Sequence, residues 1–375
     1  MRIGIDARLY GKKHTGIGRY TKNLILSLAK TDKKNTYLIF GAEEIKKDLQ
    51  GIKNFSYQKL TTPIYSFREQ IINPFIFNKA KLDLLHVPHF NAPILYFGKL
   101  VITIHDLIKH LSTGKDSTTH SAWVYWIKQL AYRLAVFLNI KKASAIITPS
   151  KFWQDYLVNN YNLNPQTIHV TYEAADKALK VDPKQKPRNI LRKYHLDKPF
   201  IIYTGNLYPH KNVDFLIKAI KAFNKTHKHQ LTLAIVCARS VFEKRLTPAN
   251  HVQYLGFVPD SHLATLYSQA LALVHPSLIE GFGLTGLEAM AVGLPVLSSD
   301  ATCLPEVYGQ AALYFDPHNQ ASLLLRLEQI MEDRQLLKDL KEKGLKRVKK
   351  FSWRITAKKT LKAYNQAVIA RHSGK

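Results

Sequence analysis

Short β-branched runs separated by helical patterns govern what this chain can fold into. Strand-like segments fall at Met1–Ala7, Tyr37–Gly41, Leu84–Val87, Leu100–His105 and Ala145–Pro149. Candidate helices lie between them at Gly18–Ala29, Phe67–Asn78, His120–Asn139 and Lys151–Tyr161. Strands that alternate with helices predict βαβ units and a parallel sheet, because a parallel crossover needs a connection of helix length. The pattern breaks over Tyr172–Pro199, which is rich in Lys, Asp and Pro, and restarts at Phe200. The second series has strands at Phe200–Thr204, Leu231–Cys237, Val252–Tyr254, Leu271–His275, Pro295–Ser298 and Ala311–Phe315. Its helices fall at Asp214–Asn224, His262–Ser268, Leu284–Val292, Gln320–Glu332 and Asp333–Val348, and a helical tail runs from Trp353 to His372. The expected fold is α/β, with two Rossmann-like parallel-sheet domains facing a cleft. The first covers 1–173, a linker covers 174–198 and the second covers 199–352, with the C-terminal helix 353–375 joining the first. Ligands of open parallel sheets sit beyond the carboxyl ends of the strands, so the chemistry is sought just after strands.

Composition narrows the function classes. With 46% hydrophobic and 22% charged residues, the chain of 375 residues has the balance of a globular protein. Fifty-five basic residues stand against 27 acidic ones, a net charge of +28. That field favours anionic partners such as nucleic acid, anionic lipid or phosphorylated substrates, and is equally compatible with a plain solubility role. Two cysteines support neither a disulfide framework nor a zinc site. Cys237 lies in an apolar run and Cys303 in a Ser/Asp/Thr/Pro-rich loop, which fits a reducing compartment. The chain opens directly on the strand at Met1, without signal-peptide features, and no apolar run nears the ~18 residues that span a bilayer. The expected location is cytoplasmic. The stripe Trp123, Ile127, Leu130, Leu134 and Phe137, followed by Lys141 and Lys142, has helical spacing. Such a stripe more often faces a core than a membrane. Aromatic and basic residues together would also suit peripheral contact with an anionic membrane at the inner face.

Four segments carry candidate chemistry. The strongest is Glu280-Gly281-Phe282-Gly283-Leu284-Thr285-Gly286-Leu287-Glu288, placed between the apolar run Leu271–Val274 and a helix. Gly281 and Gly283 allow a tight turn, and the amides of Gly283, Leu284 and Thr285 open the helix. Free N–H groups at a helix start suit a diphosphate. Glu280 and Glu288 suit vicinal hydroxyls, because a carboxylate accepts hydrogen bonds from neighbouring O–H groups. The second segment, Gly205-Asn206-Leu207-Tyr208-Pro209-His210-Lys211, follows the strand Phe200–Thr204 and offers the Lys211 ammonium as a point charge. The third, Thr15-Gly16-Ile17-Gly18-Arg19-Tyr20, lacks the third glycine of a dinucleotide fingerprint, since Thr21 stands there. The fourth, Thr103-Ile104-His105-Asp106, ends a strand, with Asp106 placed to cap the next segment.

The stretch from His275 to Val296 resembles the glutamate–seven-residue–glutamate motif of retaining glycosyltransferases of the GT-B fold, family 4, in particular bacterial mannosyltransferase-like members. The other segments match the same family, so the resemblance covers nearly the whole chain. It implies that the Gly205–Lys211 loop binds the donor diphosphate; many members carry Arg where this chain has Asn206, which leaves more of that task to Lys211 and helix amides. It implies a glycine-rich loop facing the cleft at Gly16, Gly18 and Arg19, and His105 beside the transferred sugar. The expected reaction is front-face transfer of a hexose, mannose favoured, from a nucleotide-diphospho-sugar donor to a glycan or lipid-linked acceptor docked on the first domain. Lys211 and the amides at 283–285 hold the diphosphate, Glu288 the ribose, and Glu280 and His105 the sugar. Double displacement with Glu280 as nucleophile is the lesser alternative.

No Asp-x-Asp occurs in the sequence, so no metal or other cofactor is expected. Gly-x-Ser-x-Gly and P-loop patterns are also missing. A nucleic-acid-binding protein is the rival that charge alone suggests, and no nucleic-acid module supports it. A glycan phosphorylase or a noncatalytic sugar-nucleotide binder are rivals on the same fold.

Overall fold

In a computed structural model, the described residues are 1–11, 15–112, 122–175, 179, 181–197, 199–238 and 242–369. They form two compact units, the first of residues 1–111, 122–173 and 352–369, the second chiefly of residues 174–351. The first runs β1 (Arg2–Asp6), α1 (Thr15–Thr31), β2 (Thr36–Gly41), α2 (Glu44–Asp48), β3 (Phe55–Lys59), α3 (Phe67–Lys79), β4 (Leu84–Val87), β5 (Leu100–Thr103), α4 (Ile108–Leu111), α5 (Ala122–Lys142), β6 (Ala145–Thr148), α6 (Lys151–Tyr161) and β7 (Ile168–Val170). Its seven strands pair in parallel in the order β3-β2-β1-β4-β5-β6-β7. Covered on both faces, the central strands are apolar runs rather than alternating ones, as in the fully buried Leu84, Leu85 and Val101. Helix α1 lays Tyr20, Leu24 and Leu28, spaced four apart, onto this sheet.

The second unit runs α7 (Pro187–Lys193), β8 (Phe200–Thr204), α8 (Val213–Thr226), β9 (Thr232–Val236), β10 (Val252–Tyr254), α9 (Asp260–Gln269), β11 (Leu273–His275), α10 (Leu284–Ala291), β12 (Val296–Ser299), α11 (Leu304–Tyr308), β13 (Ala312–Phe315), α12 (Gln320–Glu332) and α13 (Arg334–Val348). Six parallel strands lie in the order β10-β9-β8-β11-β12-β13. Each sheet reverses its strand order once, between β1 and β4 in the first and between β8 and β11 in the second. The chain then returns to the first unit as α14 (Trp353–Ile369), whose Ala357, Ala363, Tyr364 and Ala367 join the core under α1. The Tyr364 hydroxyl meets His86 Nδ1 on β4 at 2.6 Å, which pins the helix to the middle of the sheet. Residues 370–375 of the expected tail lie outside the described residues.

Several details depart from the sequence reading. Strands β3 and β7 were not expected: both are edges, and the mostly exposed Phe55–Lys59 has no apolar run to announce it. The stretch 174–198, read as linker, holds α7, which buries Ile190 and ties Tyr194 to His262 of α9 at 2.9 Å. Gly16, Gly18 and Arg19 do not form a loop: they lie in the first turns of α1, where unpaired amides make glycine tolerable. The preceding residues 12–14 lie outside the described ones. Finally, the α5 stripe expected to face a core is exposed at Trp123, Ile127, Leu130, Leu134 and Phe137. The helix buries Gln129, Val136, Asn139 and Ile140 instead. The more apolar face of α5 is the outer one, and the buried face carries Gln129 and Asn139, so periodicity finds a stripe without telling which side is inside.

Candidate active site

The strand-order reversal of the second sheet places the ends of β8 and β11 side by side, where ligands of open α/β sheets bind. After β8, Gly205 keeps its amide on Val236 O at 3.1 Å, and the next residues turn sharply. Asn206 Oδ1 accepts the Tyr208 amide at 3.3 Å, so this side chain shapes the loop. Lys211 closes a single 3₁₀ turn, its amide on Tyr208 O at 2.8 Å. The loop after β11 is tied to this one by Leu278 N–H donating to His210 O at 2.8 Å. That backbone bond brings Lys211 to Glu280.

Glu280 Oε1 accepts from Lys211 Nζ at 2.6 Å, Ser277 Oγ at 2.7 Å and His275 Nε2 at 2.6 Å. The residue is buried. Burial alone would favour the neutral acid; Lys211 and His275 outweigh it and hold the carboxyl well below the usual carboxylate range. The backbone is clamped as well. Glu280 N–H donates to Thr302 Oγ1 at 3.1 Å, and Cys303 Sγ–H reaches Glu280 O at 3.4 Å. Thr302 sits at φ 51°, a left-handed conformation that a β-branched residue adopts only when its surroundings impose it. Burial drives the Cys303 thiol well above its ordinary pKa, so it acts as a small buried group and not as a nucleophile.

Gly283 caps α10 at φ 93°, and Gly281 is not in a left-handed conformation, so the turn belongs to Gly283. The Gly286 amide returns to Gly283 O at 3.2 Å, while the first turn of α10 leaves the Leu284 and Thr285 amides without intrahelical acceptors. Tyr308 fixes this cap: its hydroxyl donates to Gly283 O at 2.7 Å and meets His275 Nδ1 at 2.9 Å. Burial and the nearby Glu280 push the phenol well above its ordinary pKa, so it remains a donor. One chain of hydrogen bonds therefore runs from Glu280 through His275 and Tyr308 to the start of α10. Phe282 is buried edge-on against Phe351 with centroids 5.9 Å apart, a packing role. Glu288 is buried in the second turn of α10.

His105 lies in the first unit, after β5. Its Nδ1 meets Glu173 Oε1 at 2.9 Å and its Nε2 meets Pro88 O at 3.2 Å. Two acceptors on two ring nitrogens require both to carry protons. Burial opposes that charge, but Glu173 prevails and the pKa is raised. A sugar hydroxyl would have to displace one of these partners. Asp106 caps as expected, Oδ1 accepting from Ile108 N at 3.1 Å.

Sequence reasoning missed a buried cluster at the reversal point of the first sheet. Arg8, just past β1, spans Asp6 (Nε–Oδ1 2.9 Å, Nη2–Oδ2 2.6 Å) and Glu69 of α3 (Nη2–Oε1 2.5 Å). Glu69 also accepts the Asn91 side-chain amide at 2.8 Å. The only signal was Asp-Ala-Arg directly after a strand, with no motif attached. His275, Ser277, Thr302 and Tyr308 were missed in the same way. Lys211, Glu280 and the Gly283–Thr285 turn are brought together; His105, Gly16, Gly18 and Arg19 belong to the other unit.

Two parallel sheets of this order, each with polar residues beyond its strand ends, define a class of two-unit α/β proteins, and the structural likenesses make it the GT-B fold. The sucrose-phosphate synthase of Thermosynechococcus elongatus aligns with a TM-score of 0.74 and 19% identity, covering 99% of this chain and 100% of that one. Anabaena HepE, solved in complex with UDP-glucose, aligns at 0.70 and 18% identity over 97% and 99% of the two chains. The family described as glycosyl transferases group 1 matches residues 186–347, and glycosyltransferase family 4 matches residues 14–179. With most of its length taken in by these two, the chain belongs to the group 1, family 4 glycosyltransferases. Among relatives, the O-antigen chain mannosyltransferase B of Escherichia coli is 26% identical over 93% of this chain and 96% of its own. The Salmonella typhimurium O-antigen chain mannosyltransferase RfbU is 29% identical over 61% of this chain and 64% of its own.

Proposed function

We propose that this glycosyltransferase moves a hexose, mannose foremost, from a nucleotide-diphospho-sugar to a glycan or lipid-linked acceptor in cell-envelope polysaccharide synthesis, with retention and without a metal ion. The observation that carries the reading is the ion pair of the partly buried Lys211 with the buried Glu280 at 2.6 Å, set beside the open amides of α10. The mannosyltransferase relatives support the choice of sugar and of product class.

An ammonium has three N–H donors, so Lys211 can bond Glu280 and a diphosphate oxygen together. The Leu284 and Thr285 amides add donors preorganised toward the same charge. Glu280 takes sugar hydroxyls and Glu288 the ribose. In the transfer, the acceptor oxygen bonds to the anomeric carbon as the bond from that carbon to the diphosphate oxygen breaks. The bonding electrons leave with the diphosphate, and a diphosphate oxygen on the same face takes the acceptor proton. Lys211 stabilises the charge that builds on the leaving group, a role worth about 10²–10³ in turnover for one oxyanion donor.

The test is nucleoside diphosphate release from GDP-mannose and UDP-hexoses with and without an oligosaccharide acceptor, in the presence of a chelator, with proton NMR of the product anomer. Acceptor-dependent release that survives chelation and yields an α-linked product from an α-linked donor is expected. An inverted product would overturn retention, and release abolished by the chelator would overturn metal independence.

A further inference from the structure

Helix α5 presents six large apolar side chains to solvent on one side: Trp123, Trp126, Ile127, Leu130, Leu134 and Phe137. At 3.6 residues per turn they share a strip roughly 100° wide, with the buried Val136 and Asn139 on the far side of the helix. Trp123 is 83% exposed and Leu130 71%, values at which no neighbour among the described residues covers them. Other large apolar side chains of the same unit are exposed as well. Lys142 donates to Ile94 O at 2.7 Å and lies over the Phe97 ring at 5.2 Å, and Ile94 N–H donates to Gln70 of α3 at 2.8 Å. Phe97 is 74% exposed, and on α3 Phe67 and Phe75 are 81% and 73% exposed. An apolar surface of this extent marks an interaction site.

The charge selects the occupant. Helix α5 holds Lys128, Arg133, Lys141 and Lys142 and no acidic residue, in a chain of net charge +28. Lys141 lies in line with the apolar strip at its C-terminal end, and Arg133 flanks it. Lys141 spends one donor on Tyr161 O at 3.0 Å, which leaves its charge uncompensated by that bond. Tryptophans, aliphatic side chains and a helix whose charged residues are all basic match the boundary between acyl chains and anionic headgroups. We infer that the α5 strip seats the first unit on an anionic lipid bilayer, α5 lying in the interface plane. Among the described residues no helix is long and apolar enough to cross a membrane, so the contact is interfacial. This inference does not depend on the sugar or the acceptor, and its test reads binding without turnover.

The experiment is co-sedimentation of the full chain with vesicles of phosphatidylethanolamine and phosphatidylglycerol, and with pure phosphatidylcholine vesicles, at low and high salt. Tryptophan emission is read in parallel. The expected result is binding to anionic vesicles, weakened by salt, with a blue shift from Trp123 and Trp126. The double variant Trp126→Ser with Leu130→Ser should lose at least tenfold in partitioning, and Arg133→Gln with Lys141→Gln about fivefold per charge at low salt. All four side chains are exposed, so thermal unfolding of the variants should match the parent. Equal binding by parent and Trp126→Ser/Leu130→Ser, or no binding to anionic vesicles at low salt, would overturn the inference. So would a lipid-free dimer in sedimentation velocity that the Trp126→Ser/Leu130→Ser variant dissolves, since the strip would then be a face for a second copy.

Discussion

At the scale of single residues, the buried charge of Glu280 is sustained by its neighbours. Three donors converge on one oxygen, and two of them, Lys211 and His275, hold the carboxyl ionised against burial. Lys211→Ala is therefore expected to lower turnover by about 10²–10³ and to move the acid limb of the pH–rate profile upward as Glu280 loses its strongest cation. Unchanged turnover in a folded variant would remove Lys211 from the mechanism. Tyr308→Phe is the sharper probe of positioning. It removes the donor to Gly283 O and the partner of His275 Nδ1, leaving two buried polar atoms unmatched. A cost of about 1–3 kcal/mol in stability is expected. A purely structural role would stop there; a positioning role also raises the KM for the donor, because the α10 cap and Glu280 shift together, and steady-state kinetics separates the two. Glu280, Lys211 and Gly283 were legible because residue type and strand-end position point to ligands. The residues that hold them were not: Thr302 and Tyr308 are contributed from 22 and 25 residues away from the atoms they bind, by segments with no motif of their own.

At the scale of elements, what the sequence displayed depended on burial. Strands β1, β4, β5, β6, β8 and β9 are apolar runs because sheets covered on both faces require it, and each was legible within a residue or two. Edges β3 and β7 carry polar residues and were not. Helix α5 was legible as a helix but its orientation was not, since its apolar stripe lies outside and its buried face carries Gln129 and Asn139. Helix α14 was legible from periodicity, and its importance rests on Tyr364, which is fully buried with its hydroxyl on His86. Tyr364→Ala is expected to destabilise the first unit by about 3–5 kcal/mol, the cost of a large aromatic cavity. Tryptophan fluorescence during urea unfolding is a selective reporter here, because the four tryptophans, Trp123, Trp126, Trp153 and Trp353, all belong to the first unit. A midpoint unchanged from the parent would show that α14 is not integral to that core.

At the scale of the whole molecule, charge and buried imidazoles set a dependence on pH whose sign can be worked out. His86 and His89 are buried in the first unit, and burial, reinforced by the cation at His105, lowers each to about 3. His89 Nδ1 accepts the Asn91 amide at 3.2 Å, a bond that protonation would abolish. An unfolded histidine titrates near 6.5. Below that pH the unfolded chain gains protons at these two sites and the folded chain does not, so stability falls as pH drops from about 6.5 toward 3. Each contributes about 1.4 kcal/mol per pH unit once the unfolded form is fully protonated, roughly 3 kcal/mol per unit for the pair. His105 acts in the opposite sense. Its raised pKa gives stability that is complete below 6.5 and is lost as pH rises through the folded value. The two effects together give a maximum near neutrality, steeper on the acid side. Urea unfolding at pH 5.0, 6.0, 7.0 and 8.0, read by tryptophan fluorescence, should show that asymmetry. Glu173→Gln removes the partner of His105 and should flatten the alkaline limb while leaving the acid one. An acid limb that vanished with Glu173→Gln would show that His105, rather than the neutral pair beside it, governs how the first unit responds to acid.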